Sequence, residues 1–142
     1  MTGATLRGAL AATGIAGAAC LAAATFLPVI RIERDGMVVP ALDSTGWDLH
    51  GPALLVLAAL AATLLPLALR GGAAAPLALA FAGLGGLAIA LFGDLPDIDQ
   101  AGLVGERLAE GRSSAGAGAY LEAAGSLLLV TVGATIALRR AA

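Results

Sequence analysis

The chain has 142 residues, of which 59% are hydrophobic and only 13% are charged. About a quarter of the residues of a soluble domain are charged, so this composition excludes an ordinary soluble globular domain. The net charge of −2 gives no reason to expect a nucleic acid partner. The single cysteine, Cys20, excludes an intrachain disulfide.

The first apolar run extends from Gly8 to Ile30 and follows a short polar start that contains Arg7. This start resembles a signal peptide, but the apolar run continues beyond the length that a signal peptide needs. We therefore predict an uncleaved first transmembrane helix near residues 8–30.

The first polar connection, residues 31–51, contains a hairpin signal. Asp35-Gly36 lies between two runs rich in β-branched residues, and this dipeptide is typical of a two-residue hairpin turn. We expect a small two-stranded ribbon with Ile30 and Ile32 on its apolar face. Trp47 and His50 follow just before the next apolar run, at the depth where amphipathic rings favour a membrane interface.

Residues 51–92 form the most apolar part of the chain, and their only charge is Arg70. The run is interrupted by a Gly- and Pro-containing turn, and each half is long enough to cross about 30 Å of hydrocarbon. We predict transmembrane helices near residues 52–69 and 75–93. In the second of these, small residues recur every fourth position and predict close helix packing; they are Ala78, Ala82, Gly86 and Ala90.

The second polar connection, residues 94–118, shows a short amphipathic pattern. Between Ile98 and Glu110, a helix would place Leu103, Val104 and Leu108 opposite Glu106, Arg107 and Glu110. We expect a short interfacial helix there, followed by a mobile segment over residues 111–118. A fourth transmembrane helix is predicted near residues 119–138, and Arg139-Arg140 would end it.

The predicted fold class is an all-α membrane protein with one domain over residues 1–142. Its four transmembrane helices form a bundle, with a small extracytoplasmic β-hairpin and a short interfacial helix on one side. Both connections emerge on that side, and we expect them to form one cap by packing their apolar faces together. The residues of those faces are Ile30, Ile32 and Val38 in the first connection, and Leu103, Val104 and Leu108 in the second.

The distribution of arginine indicates the orientation of the bundle. With four helices, Arg7, Arg70, Arg139 and Arg140 lie on the side of the termini, where there is no acidic residue. The same number of arginines lies on the other side, but there they are spread over long segments, and all ten acids lie on that side as well. The positive-inside rule therefore favours cytoplasmic termini. The Ala- and Gly-rich composition, with eight arginines and no lysine, suggests a GC-rich bacterial genome and hence the inner (plasma) membrane.

The candidate sites are few, and each has a structural explanation beside the functional one. Asp94, Asp97 and Asp99 form an acidic cluster that weakly resembles a metal site, but their spacing does not match a calcium loop. Glu122 is an ionisable residue at the start of the fourth helix, where it is expected to reach water. His50 is the only histidine, and a zinc site needs more ligands than one histidine supplies. We expect no cofactor.

Several short motifs resemble an uncharacterised set of actinobacterial four-helix membrane proteins. The layout is also similar to that of the tryptophan-operon-associated membrane proteins. The resemblance implies four helices and no particular activity. The motifs that carry it are Phe26-Leu27-Pro28, Gly46-Trp47, and Gly118-Ala119-Tyr120-Leu121 with Gly125 and Gly133.

Three functions compete on this evidence. The first is a non-catalytic accessory or scaffold protein that acts through helix packing and its cap, with the lipid bilayer, copies of itself or a larger membrane complex as partners. The alternative is a small transporter or channel subunit active as an oligomer. The third, which we favour least, is a lipid-acting membrane enzyme that uses Asp94, Asp97, Asp99 or Glu122.

Overall fold

The computed structural model describes residues 3–104 and 109–141. Four long helices dominate this part of the chain, and a small sheet lies at one end of them. The long helices are α1 (Gly3–Ala24), α3 (Ala53–Leu69), α4 (Ala75–Ala88) and α5 (Ala117–Ala141), and α2 (Gly46–His50) is a single short turn.

Three helical segments in the described residues are long and apolar enough to cross a membrane. They are Gly3–Ala24, Ala75–Asp97 and Ala117–Ala141. Helix α3 is equally apolar but has 17 residues, which at about 1.5 Å per residue is slightly short of the hydrocarbon thickness. The chain thus has the composition of a membrane protein.

The four long helices pack around a shared core of leucine and small residues. Leu21, Leu54, Leu79 and Leu129, one from each helix, are fully buried together. Glycines let the backbones come close: a Cβ placed on Gly83 of α4 would lie 2.7 Å from the carbonyl oxygen of Ser126 in α5. Such contacts are how helices associate where lipid removes the hydrophobic drive.

The ends of the helices differ from the sequence prediction. Helix α1 ends at Ala24 rather than near residue 30, because the chain turns there and Pro28 begins a strand. Proline disfavours helical geometry in the residue before it, and the β-branched residues that follow suit a strand. Helix α5 starts two residues earlier than predicted and continues past Arg139 to Ala141.

Both polar connections contribute strands to one antiparallel sheet. The strands are β1 (Pro28–Arg34), β2 (Met37–Val38), β3 (Ser44–Thr45), β4 (Ala101–Val104) and β5 (Ala109–Ala115). Their order is β2-β1-β5-β4, and β3 pairs with the beginning of β1. The central pair, β1 with β5, joins the first connection to the second.

The hairpin between β1 and β2 follows the local sequence signal. Asp35 and Gly36 have φ of 52° and 76°, and Arg34 pairs with Met37, which makes a two-residue turn with both central residues left-handed. Ile30 and Ile32 are buried against the helix ends together with Val29 and Val104. Val38 was expected on that apolar face, but it pairs with Glu33 and is exposed.

The prediction of an interfacial helix between Ile98 and Glu110 is wrong. Residues 101–104 and 109–110 are strand, and Glu106, Arg107 and Leu108 lie outside the described residues. The expectation of a mobile 111–118 segment is wrong as well, since β5 runs to Ala115 between β1 and β4 and α5 begins at Ala117. The backbone of this segment forms its hydrogen bonds by pairing with β1. The small residues of the segment do not by themselves predict a strand.

The two connections do meet in one cap, but through a different contact from the one expected. Their strands lie side by side and exchange backbone hydrogen bonds, instead of stacking two apolar faces on each other. The apolar face of the resulting sheet covers the end of the bundle. Leu103, on the edge strand β4, points away from that core and is exposed.

Candidate functional site

The short helix α2 positions His50 at the end of the bundle. A capping box fixes its start, because Thr45 and Asp48 hydrogen bond to each other's backbone N–H. The backbone N–H of Trp47 donates a hydrogen bond to the Thr25 carbonyl oxygen at 2.7 Å, which anchors α2 to the end of α1. His50 is the last residue of α2, and its side chain is only 14% exposed.

A π-helical turn carries Asp94 into the same region. Helix α4 continues through Ile89–Asp94 in this wider geometry and then tightens over Leu95–Asp97. Single π turns inside α-helices often accompany functional sites. Gly93 leaves room for the imidazole, since a Cβ placed there would lie 3.2 Å from Cε1 of His50. Asp94 is 2% exposed.

Glu122 enters from α5 and completes the cluster. It was expected to reach water from the first turn of the helix, but α5 begins at Ala117 and the Glu122 side chain is fully buried. Ser126 follows it by four residues, so both side chains lie on one face of the helix. Ser126 is also fully buried, and its hydroxyl lies close to Gly86 of α4.

The three ionisable groups converge on one small volume. His50 Nε2 lies 2.7 Å from Asp94 Oδ1, which is a hydrogen bond. One nitrogen or oxygen atom from each of His50, Asp94 and Glu122 lies within 4.8 Å of the other two. Within residues 3–104 and 109–141, Asp94 Oδ2, both carboxylate oxygens of Glu122 and Ser126 Oγ have no hydrogen-bond partner.

Such a cluster requires a compensating charge. An ionised carboxylate buried without a partner costs several kcal/mol, on the order of what a whole domain gains on folding. The free-energy cost is higher for two neighbouring carboxylates, because the charge on one opposes ionisation of the other. His50 can supply at most one positive charge, so the site is chemically suited to bind a cation.

The other acidic residues of the predicted cluster do not join this site. Asp97 and Asp99 are exposed on the turn that follows Asp94. Asp97 accepts a hydrogen bond from Ser113 Oγ through its backbone oxygen at 2.6 Å, which ties the turn to β5. Asp99 forms an exposed pair with Arg112 at 3.7 Å, and such a pair contributes little to stability.

The remaining predicted residues have structural surroundings. Trp47 stacks on Phe26 with ring centroids 6.4 Å apart, and both rings are largely exposed at the end of the bundle. The interfacial position of Trp47 stays a prediction. Of the predicted packing stripe, Ala82 and Gly86 are buried and Ala78 and Ala90 are half-buried.

Sequence reasoning named His50, Asp94 and Glu122 but did not bring them together. The π turn and the glycine that faces the imidazole were missed, as was the close approach of Gly83 to α5. The only local signal was the spacing of Glu122 and Ser126, which places two polar side chains on one face of an otherwise apolar helix.

Comparison with family models, curated proteins and solved structures finds no match for this chain.

Proposed function

We propose that the chain is a non-catalytic, multi-pass protein of the bacterial plasma membrane. It acts as an accessory or scaffold subunit that packs against a transmembrane helix of a partner protein. Its four long helices each cross the bilayer, the termini lie in the cytoplasm, and the sheet lies on the extracytoplasmic side.

The observation that carries this proposal is the composition of the exposed side of α1. Of the three membrane-length segments, α1 has the smallest buried share, 17% against 33% and 39%. A helix so exposed to lipid would ordinarily carry bulky apolar side chains. The exposed residues in the middle of α1 are instead mainly alanine, including Ala12, Ala16, Ala19 and Ala23. Small side chains mark surfaces where a second helix approaches closely.

A groove between α1 and α3 extends this small-residue surface. It encloses about 660 Å³ and is lined almost entirely by apolar side chains, seven of them alanine. Pro66, in the last turn of α3, borders it near one end. A groove of this composition fits an apolar helix better than a polar solute, which is why we assign it to a partner's transmembrane segment.

The charges at the two ends of the bundle support the proposed orientation. At the end of the termini, Arg140 donates hydrogen bonds to the carbonyl of Gly72, at 2.6 Å, and to that of Ala68. The Arg140 side chain therefore satisfies backbone carbonyls at and just after the last turn of α3. No acidic residue occurs at this end of the bundle. At the other end, the outward face of the sheet presents Arg31, Glu33 and Arg112, as a surface in water would.

In-membrane photocrosslinking tests the proposed packing surface. A small diazirine residue at position 19, in the groove, should give a discrete adduct with another protein in native membranes. The same residue at position 88, exposed on α4, is the matched control and should give lipid adducts. Ala19→Trp should then reduce recovery of the identified partner, whereas Ala88→Trp should not. Lipid adducts alone at both positions would contradict the proposal, and an adduct with a second copy would make the partner the chain itself.

Single-cysteine labelling tests the orientation. In a Cys20→Ala background, an impermeant maleimide applied to intact cells should label Ala101→Cys in the sheet. It should label Ala74→Cys, in the exposed turn between α3 and α4, only after lysis. Labelling of Ala74→Cys alone in intact cells would invert the orientation, and equal labelling of both would exclude four spans.

A further inference from the structure

We infer that His50, Asp94 and Glu122 form a binding site for one divalent transition-metal ion of the Zn²⁺ class. This inference does not depend on the partner or the orientation proposed above. It starts from the three carboxylate oxygens that lie buried without a hydrogen-bond partner: Asp94 Oδ2, Glu122 Oε1 and Glu122 Oε2. Buried charges in proteins are paired or coordinate metals.

Charge favours a divalent cation over a monovalent one. When ionised, Asp94 and Glu122 together carry two negative charges, and neutral imidazole adds none. A divalent ion cancels both charges within the site, so the buried cluster becomes neutral as a whole. Within the described residues, no arginine forms an ion pair with Asp94 or Glu122: Arg112 pairs with exposed Asp99, and Arg140 contacts the opposite end of the bundle.

The ligand types select the class of metal. Imidazole nitrogen suits zinc and its neighbours in the first transition series, whereas magnesium and calcium take mainly oxygen ligands. Calcium also requires six to eight oxygens, which is more than two carboxylates provide. His, Asp and Glu are all zinc ligands, and three protein ligands is also the number found at zinc sites that keep a fourth position open for water or another ligand.

The geometry needs only small side-chain movements to accept the ion. Zn–N and Zn–O bonds are about 2.0–2.2 Å long, so two ligands of a tetrahedral zinc ion lie about 3.4 Å apart. The three donor atoms already lie within 4.8 Å of one another. His50 Nε2 and Asp94 Oδ1 must separate from 2.7 Å by less than about 1 Å, exchanging their hydrogen bond for two bonds to the metal.

The three ligands come from three different elements, so the ion would connect them. His50 ends α2, Asp94 ends the π turn after α4, and Glu122 lies in α5. Bound metal would therefore fasten the base of the sheet to two of the long helices. Because binding to the folded state alone stabilises it, metal should raise the thermal stability of the chain.

The test uses the full chain in mild detergent, purified with a tag that lacks histidine and stripped with a chelator. We expect one Zn²⁺ per chain after re-addition and desalting. Co²⁺ should give the visible absorption of a four-coordinate site with nitrogen and oxygen ligands. Neither Mg²⁺ nor Ca²⁺ in excess should displace the Zn²⁺.

Isosteric variants assign the ligands. Asp94→Asn, Glu122→Gln and His50→Gln should each lower Zn²⁺ affinity at least about 10-fold, since even residues that only support metal ligands contribute that much. Asp97→Asn removes a neighbouring, exposed carboxylate and should leave the affinity unchanged. Far-UV circular dichroism identifies any variant that fails to fold. Zn²⁺ retention by the unmodified chain tests the inference even if a variant does not fold. The inference is overturned if the unmodified chain retains no Zn²⁺, or if Asp97→Asn loses as much affinity as Asp94→Asn.

Discussion

Replacing Gly83 by alanine should loosen the contact between α4 and α5. The added methyl group would lie 2.7 Å from both the Ser126 carbonyl oxygen and the Val130 nitrogen, which are backbone atoms of α5. Nonbonded contacts are most favourable near about 3.5–4.0 Å, so the helices must separate by roughly 0.8 Å. Backbone atoms cannot rotate away, and overpacking of this kind costs about 1–3 kcal/mol.

Gly85→Ala is the matched control in the same helix. A Cβ at Gly85 would meet only Leu57 side-chain atoms at 3.6 Å and 3.9 Å, which is ordinary contact. Both variants gain the same intrinsic helix propensity, at most about 1 kcal/mol, so the difference between them isolates the clash. We expect Gly83→Ala to be less stable than Gly85→Ala by about 1–3 kcal/mol.

The assay is reversible unfolding in mixed micelles with increasing SDS, followed by far-UV circular dichroism. Gly83→Ala should unfold at lower SDS than Gly85→Ala, with a similar transition width. If Gly83→Ala is as stable as Gly85→Ala or more stable, the close approach of α4 and α5 does not exist and the packing described here is incorrect.

Two further predictions concern the sheet and its attachment. Ile32→Ala should destabilise the fold by about 2–5 kcal/mol, because the Ile32 side chain is fully buried under the sheet. Met37 is 70% exposed, so Met37→Ala should change the stability by no more than about 0.5 kcal/mol. Equal losses of stability in a thermal melt would argue against this core. Thr45→Ala should cost about 0.5–2 kcal/mol by removing the capping box of α2, and faster proteolysis near residue 45 would report it. Thr63→Ala, whose exposed hydroxyl bonds to a carbonyl within α3, is its control and should not change that rate.

The features that the sequence predicted are those fixed by neighbouring residues. The alternation of Ile30 and Ile32 with Arg31 and Glu33 identifies a strand with one buried face, and Asp35-Gly36 identifies its turn. Helix interiors can also be predicted from neighbouring residues, because a long apolar run can adopt few structures other than a helix. These interpretations required no knowledge of what the segments contact.

The second connection could not be predicted in this way because its structure depends on a distant strand. Residues 111–115 are small and polar, and by themselves they indicate a loop. They form a central strand because β1, about 80 residues earlier, offers its free edge: Ile32 pairs with Ser113, and the Ser113 side chain is buried. Strand formation of this kind follows burial and cross-strand contacts rather than intrinsic preference.

The candidate site escaped prediction for the same reason. His50, Asp94 and Glu122 are separated by 44 and 28 positions, and each has an ordinary explanation when taken alone. Only the π turn after α4 and the anchoring of α2 to the end of α1 bring the three side chains together. Convergence of this kind is a property of the packed structure.

Both polar connections form one sheet that closes the end of the helix bundle over the buried cluster. Disulfide formation between introduced cysteines, in a Cys20→Ala background, tests this arrangement. Arg31 and Ser114 are direct partners across β1 and β5, within the Cα separation of less than about 7 Å that a disulfide requires. Val38 and Leu103 lie on the two edge strands, which are three strand spacings apart, so their separation is at least about 14 Å.

Mild oxidation in membranes, followed by denaturation and alkylation of free thiols, gives the extent of each bond by mass. The 31/114 pair should be almost fully oxidised and the 38/103 pair almost fully alkylated. Oxidation of 38/103 with free thiols at 31/114, or free thiols in both pairs, would contradict the sheet and the site beneath it.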